Sequence, residues 1–129
     1  MEKKDCREKN VIDRNYASRV LKPVCCREKW FYFATGVGEY TGKIAFSLYD
    51  FSEKIKTVDV ESINFHFSRQ EFERWIRETL GDPEFAMQIK GIKGLKGEAL
   101  REEIIQTVEN RLNELAKAIP ISEAHAIVS

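Results

Sequence analysis

The stretch INFHFSRQEFERWI, residues 63–76, decides how the rest of the chain is read. Two periods compete in its first half. Ile63, Phe65 and Phe67 alternate as a strand would, whereas Val60, Ile63 and Phe67, headed by Asp59 as cap, recur as a short helix would. The second half favours helix: Phe72, Trp75, Ile76 and Thr79 fall on one arc at 3.6 residues per turn, and Gly81 suits the left-handed close. Ser68 and Glu71 have the S-x-x-E spacing of a capping box. On this reading Ser68, Glu71, Phe72 and Trp75 form a structural corner that His66 and Arg69 brace. Glu73–Arg77 and Arg74–Glu78 pair along the solvent face.

Downstream, Asp82 and Pro83 restart a helix as N-cap and first residue, carrying Phe85, Ala86 and Ile89 inward. KGIKGLKG, residues 90–97, then interrupts with three lysines and three glycines. The last helix is expected over 98–119, ended by Pro120. Its seam of Ile105, Val108, Leu112, Leu115 and Ile119 steps as a coiled coil does but spans two heptads. It predicts packing within the domain, with self-association through 98–119 as the other use.

Upstream, Ile44, Leu48, Phe51 and Ile55 of KIAFSLYDFSEKI predict an amphipathic helix after Gly42. WFYFAT, residues 30–35, reads as a short extended aromatic segment, and a further helix around 13–21 stops at Pro23. The sum is a mainly α single small domain of four or five helices over 30–119, with a basic N-terminal arm, 1–29, partly helical or flexible, and a C-terminal tail, 120–129.

The 129 residues balance 21 basic against 21 acidic groups, so no global field draws nucleic acid or an anionic membrane. Residues 1–29 nevertheless hold nine Lys/Arg against five Asp/Glu. No apolar run approaches the roughly 18 residues a membrane span requires, and the start lacks the hydrophobic block of a secretory signal. Three cysteines, Cys6, Cys25 and Cys26, cannot all pair within one chain, which fits a reducing, cytoplasmic setting. Adjacent Cys25 and Cys26 lack the gap by which paired thiolates converge on zinc, and nothing in the spacing requires Cys6, Cys25, Cys26 and His66 to gather a metal. No metal or cofactor is expected.

GVGEYTGKIA, residues 36–45, has the flavour of a phosphate loop without its grammar: Gly36 to Gly42 leaves five intervening residues, Gly38 to Gly42 three, and Ile44 stands where Ser or Thr should hold magnesium. A glycine turn feeding a helix explains it, with a weak anion site at Lys43 as the alternative. GIKGLKGEAL, residues 91–100, hints at a helix-hairpin-helix contact to nucleic acid through Lys90, Lys93 and Lys96, against the plainer reading of a solvated loop. His66 titrates near neutrality, but its neighbours supply no complete set of nucleophile, base and orienter, so no catalytic residue is assigned.

Taken together, GVGEYTGKIAFSL, KTVDVESINFH, SRQEFERWI and LGDPEFA resemble an uncharacterised, largely archaeal domain-of-unknown-function family over about residues 31–115. ESINFHFSRQEFERW is also similar to a small helical segment of larger regulatory and phosphotransfer proteins. The family resemblance implies a small accessory domain, with some relatives beside glycosyltransferase-type enzymes, and assigns no catalytic residue.

The expectation is therefore a non-catalytic accessory or regulatory interaction domain that docks on a protein partner, with a sugar- or phosphate-handling enzyme as the candidate. The alternative is a binding or enzymatic site for a phosphorylated metabolite or sugar where Lys43, His66 and Arg69 converge. A weak nucleic-acid contact through loop 90–96 is the third.

Overall fold

A computed structural model describes residues 12–119. Six α-helices and one antiparallel strand pair occupy them: α1 Arg14–Leu21, β1 Phe31–Ala34, β2 Tyr40–Ala45, α2 Leu48–Thr57, α3 Val60–Ser68, α4 Glu71–Trp75, α5 Pro83–Lys90 and α6 Gly97–Lys117. The fold is mainly helical, as expected, but it holds more helices than four or five and is not purely α.

The largest departure lies at residues 36–47. Glycines 36 and 38 turn the chain back on itself, so the aromatic run finds a strand partner in Tyr40–Ala45 rather than leading into a helix. Phe31 pairs with Ala45, Tyr32 with Ile44 and Ala34 with Tyr40. Between the last two pairings β2 advances four residues against two on β1, a bulge that Gly42 accommodates at φ 86°. Helix α2 starts only at Leu48, where Ser47 Oγ accepts the Asp50 N–H at 3.0 Å and Asp50 accepts the Phe46 N–H at 3.2 Å. This reciprocal cap satisfies two amides at the helix entrance.

The capping box expected at Ser68 and Glu71 does not form. Ser68 is the last residue of α3 and its hydroxyl donates to Phe65 O at 3.1 Å. The break between α3 and α4 is made by Gln70 in the left-handed region at φ 60°. Beyond Trp75 the chain widens into a π turn, Ile76–Leu80, which uses an extra residue per turn; Leu80 therefore becomes buried while Thr79 stays half-exposed. Arg77 pairs with Glu73 at 2.7 Å as expected, and Glu78 joins the same guanidinium instead of Arg74.

The core is one apolar cluster to which every helix and β1 contribute. Phe31 sits among aromatic rings, with centroids 4.9 Å from Phe33, 5.3 Å from Phe72 and 5.6 Å from Trp75. Both tryptophan N–H groups are used: Trp75 donates to Lys29 O at 2.8 Å and Trp30 to Val24 O at 2.9 Å. Along α6 the inward residues are Leu100, Ile104, Val108, Arg111 and Leu115, while Ile105 and Leu112 of the expected seam are only half-buried. Ala17, Val20 and Leu21 of α1 belong to the same cluster. Residues 1–11 of the basic start and the tail from 120 lie outside the described residues.

Arg111 is the buried charge of this core. It grips Asp82 with two bonds of 2.8 Å, Nε to Oδ2 and NH2 to Oδ1, and donates NH1 to Glu114 at 2.7 Å. Tyr16 O–H donates to the same carboxylate at 2.5 Å, and Asp82 also caps α5 by accepting the Phe85 N–H. One carboxylate thus joins α1, the start of α5 and α6.

Candidate functional site

Of the residues singled out from sequence, His66, Arg69 and Glu71 come together. Helix α3 carries His66 beneath the hairpin, and the left-handed Gln70 turns the chain so that Glu71 reaches back. His66 Nε2 accepts the Ala34 N–H at 2.9 Å, and Nδ1 lies 2.6 Å from Glu71 Oε1. Because Nε2 must offer its lone pair, the proton sits on Nδ1 and is donated to Glu71. Arg69 Nε donates to the other Glu71 oxygen at 2.8 Å.

Burial pushes the His66 pKa below its ordinary value even though Glu71 favours the cation, because the ring is almost wholly enclosed among Phe31, Phe33, Phe65 and Phe72. Burial alone would raise the Glu71 carboxyl; the bonds from Arg69 and His66 outweigh it and hold the group below its usual range. The imidazole is therefore neutral with both nitrogens bonded, which leaves no lone pair for a substrate proton without breaking the contact to β1.

A half-open cavity of about 290 Å³ lies beside this relay, lined by Tyr32, Val37, Tyr40, Phe65, His66, Arg69 and Glu71 among others. The Arg69 guanidinium lies over the Phe65 ring, 5.0 Å from its centroid, and its NH1 and NH2 bond no group among the described residues. Lys43 is on exposed β2 and is not part of the lining, so the expected convergence of Lys43, His66 and Arg69 is two residues of the three. The anion site expected at a helix beginning with Lys43 has no helix to supply it.

The lysine-rich loop is built differently from a phosphate grip. The Gly91 N–H is spent on Met87 O and the Gly97 N–H on Asn64 Oδ1, and Lys93 Nζ donates to Lys90 O. Lys90 and Lys93 line a cavity of about 260 Å³ with Phe67, Phe72, Ile89 and Ile92, from which Lys96 is absent.

Among the described residues no group of three or more His, Cys, Asp or Glu side chains is placed to hold a metal ion, and no helix is long and apolar enough to cross a membrane. Sequence reasoning missed Tyr32, Val37 and Tyr40 as site residues. Tyr32 was marked by the alternation of β1, exposed between buried Phe31 and Phe33, whereas Val37 and Tyr40 had no such signal because the chain is continuously exposed from Val37 to Lys43.

No curated protein and no solved structure matches the chain at a significant level. A model of the family of unknown function DUF5752 matches residues 27–126, most of the chain, and the protein belongs to that family.

Proposed function

We propose that this domain is a non-catalytic interaction module whose docking face is the β1–β2 hairpin with Arg69 beside it. One observation carries the reading: Tyr32, Val37, Tyr40 and Phe46, four of the six large exposed apolar side chains among the described residues, lie on the hairpin or at its exit, with Val37 80% and Tyr40 72% exposed. Such clustering marks contact surfaces, whereas scattered exposed apolar residues are ordinary. The cationic end of Arg69 and the exposed Lys43 set the charge of the partner. The fitting occupant is an extended protein segment that lays an apolar side chain on Tyr32 and Tyr40 and an acidic one on Arg69. The resemblance noted in the sequence makes a sugar- or phosphate-handling enzyme of archaeal type the first partner to try. The α6 seam, turned largely inward, has no part in the proposal.

The test is a displayed peptide library panned with the full chain. Enrichment of peptides pairing an acidic with an aromatic or aliphatic residue, lost on Tyr40→Ser and on Arg69→Ala with an unchanged melting curve, supports the module. Enrichment that ignores both variants overturns it. The second reading, a phosphorylated sugar in the 290 Å³ cavity, rests on the same Arg69 and on the tyrosine rings. It predicts a thermal shift with sugar phosphates, since a ligand at 100 times its Kd adds about 2.7 kcal/mol.

A further inference from the structure

We propose that Cys25 and Cys26 form a chelating dithiol site for a trivalent thiophilic centre, the chemistry of arsenic(III) and antimony(III). Neighbours in an extended segment normally direct their side chains to opposite sides. Here the backbone at Cys26 is extended, at φ −105° and ψ 127°, yet the two sulfurs lie 3.4 Å apart. Both are free thiols, Cys25 exposed and Cys26 partly so, and both line a half-open cavity of about 440 Å³.

The pair is held in place. Val24 N–H donates to Phe46 O at 2.7 Å, Trp30 Nε1 to Val24 O at 2.9 Å and Lys29 N–H to Cys26 O at 2.9 Å. A binder that finds its donors already convergent loses less conformational freedom on ligation.

Three other uses of two thiols fit less well. A disulfide is usually made between Cα atoms about 4.4–6.8 Å apart, and neighbouring Cα atoms lie about 3.8 Å apart across a trans peptide, so closing one here strains the pinned backbone. Zinc takes four donors, and no third His, Cys, Asp or Glu joins the pair among the described residues. Copper(I) held by two thiolates places them on opposite sides of the metal, which sulfurs in mutual contact cannot do. A pyramidal trivalent centre accepts both on one side.

With an organic arsenic(III) oxide the step balances without redox chemistry. Two As–S bonds form, the bonds from arsenic to its oxide oxygen break, and both thiol protons leave with that oxygen as water. Arsenic remains trivalent.

The experiment treats the reduced full-length chain with phenylarsine oxide in excess 2-mercaptoethanol and reads intact mass and free thiols. One phenylarsenical per chain, the loss of two titratable thiols, and release by 2,3-dimercaptopropanol are expected. Cys25→Ser and Cys26→Ser should each weaken retention about 100-fold or more, the advantage of a second linked donor, while Cys6→Ser leaves it unchanged. Melting curves confirm that the variants fold, and Cys25→Ala repeats the measurement without a hydroxyl. Retention that survives either single variant, loss on Cys6→Ser, preferential uptake of copper(I), or closure to an intramolecular disulfide with oxidised glutathione in place of arsenical uptake would each overturn the assignment.

Discussion

His66 and Ala34 are joined across 32 residues by a hydrogen bond in which a side-chain nitrogen takes the place of a missing strand: Nε2 accepts the Ala34 N–H at 2.9 Å on β1. The backbone donor is buried and the imidazole supplies its acceptor, so the side chain completes the sheet and its tautomer follows.

The pH dependence of stability follows from the same bond. The folded pKa of His66 is lowered, first by burial, so the unfolded chain binds its proton more readily. Stability from this group is complete above the unfolded value of about 6.5 and is lost as pH falls through the depressed folded value. Glu71, also held low, is lost further down in the acid range. The expected outcome is a midpoint of thermal unfolding that falls below about pH 6.5 and flattens in His66→Ala. That variant strands the Ala34 N–H and opens a cavity, costing about 2–4 kcal/mol. A nitrogen NMR spectrum showing the proton on Nε2 at neutral pH would refute the tautomer.

The buried pair of Asp82 and Arg111 yields a second prediction. Neither side chain is more than 2% exposed, and the carboxylate holds together three helices. Removing one partner leaves the other charge without compensation: Arg111→Met or Asp82→Ala should cost about 3–5 kcal/mol in denaturant unfolding. The double variant Asp82→Ala with Arg111→Met should cost less than the sum of the two singles, because the stranded charge is then gone. Additive losses would mean that the two groups act separately.

Tyr16 supplies the alkaline counterpart. Burial first, then the bond to Asp82 and its charge, push the phenol up to about 12. The folded state therefore keeps a proton that the unfolded state releases near pH 10, so stability from this group is complete below about 10 and is lost as pH rises toward 12. Ultraviolet titration should show one tyrosine ionising late, and Tyr16→Phe should remove that late step. If all tyrosines of Tyr16→Phe and of the parent ionise alike, the contact to Asp82 is not made in solution.

The elements easiest to read were those with both a cap and an apolar period. Asp82 with Pro83 marks α5 correctly because one residue supplies the cap and the next the helical φ. The strand pair was illegible because Ile44 stands four residues before Leu48, at helical spacing, while the exposed face of β2 shows no apolar alternation. The real cap at Ser47 and Asp50 was masked by that reading, and Ser68 with Glu71 repeats the motif where the chain is leaving a helix. His66, Arg69 and Glu71 were visible as a local cluster, but nothing in the spacing shows that Ala34 would be the histidine's partner. Arg111 was invisible for another reason: a charged residue on the inward stripe of a helix becomes intelligible only with its distant carboxylate.

Ser62 carries the last prediction. Its residue is wholly buried on α3, and its Oγ is the single buried side-chain polar atom among the described residues without a hydrogen-bond partner. An unmade bond in the interior costs the desolvation of the hydroxyl and returns nothing. Ser62→Ala removes that group, improves intrinsic helix propensity by a few tenths of a kcal/mol and takes away only a small volume. The variant should therefore be neutral or stabilised by about 0.5–1 kcal/mol in chemical unfolding, with no change in the slope against denaturant. A loss of about 1 kcal/mol or more would show that the hydroxyl is bonded in solution, a bridging water being the first partner to seek.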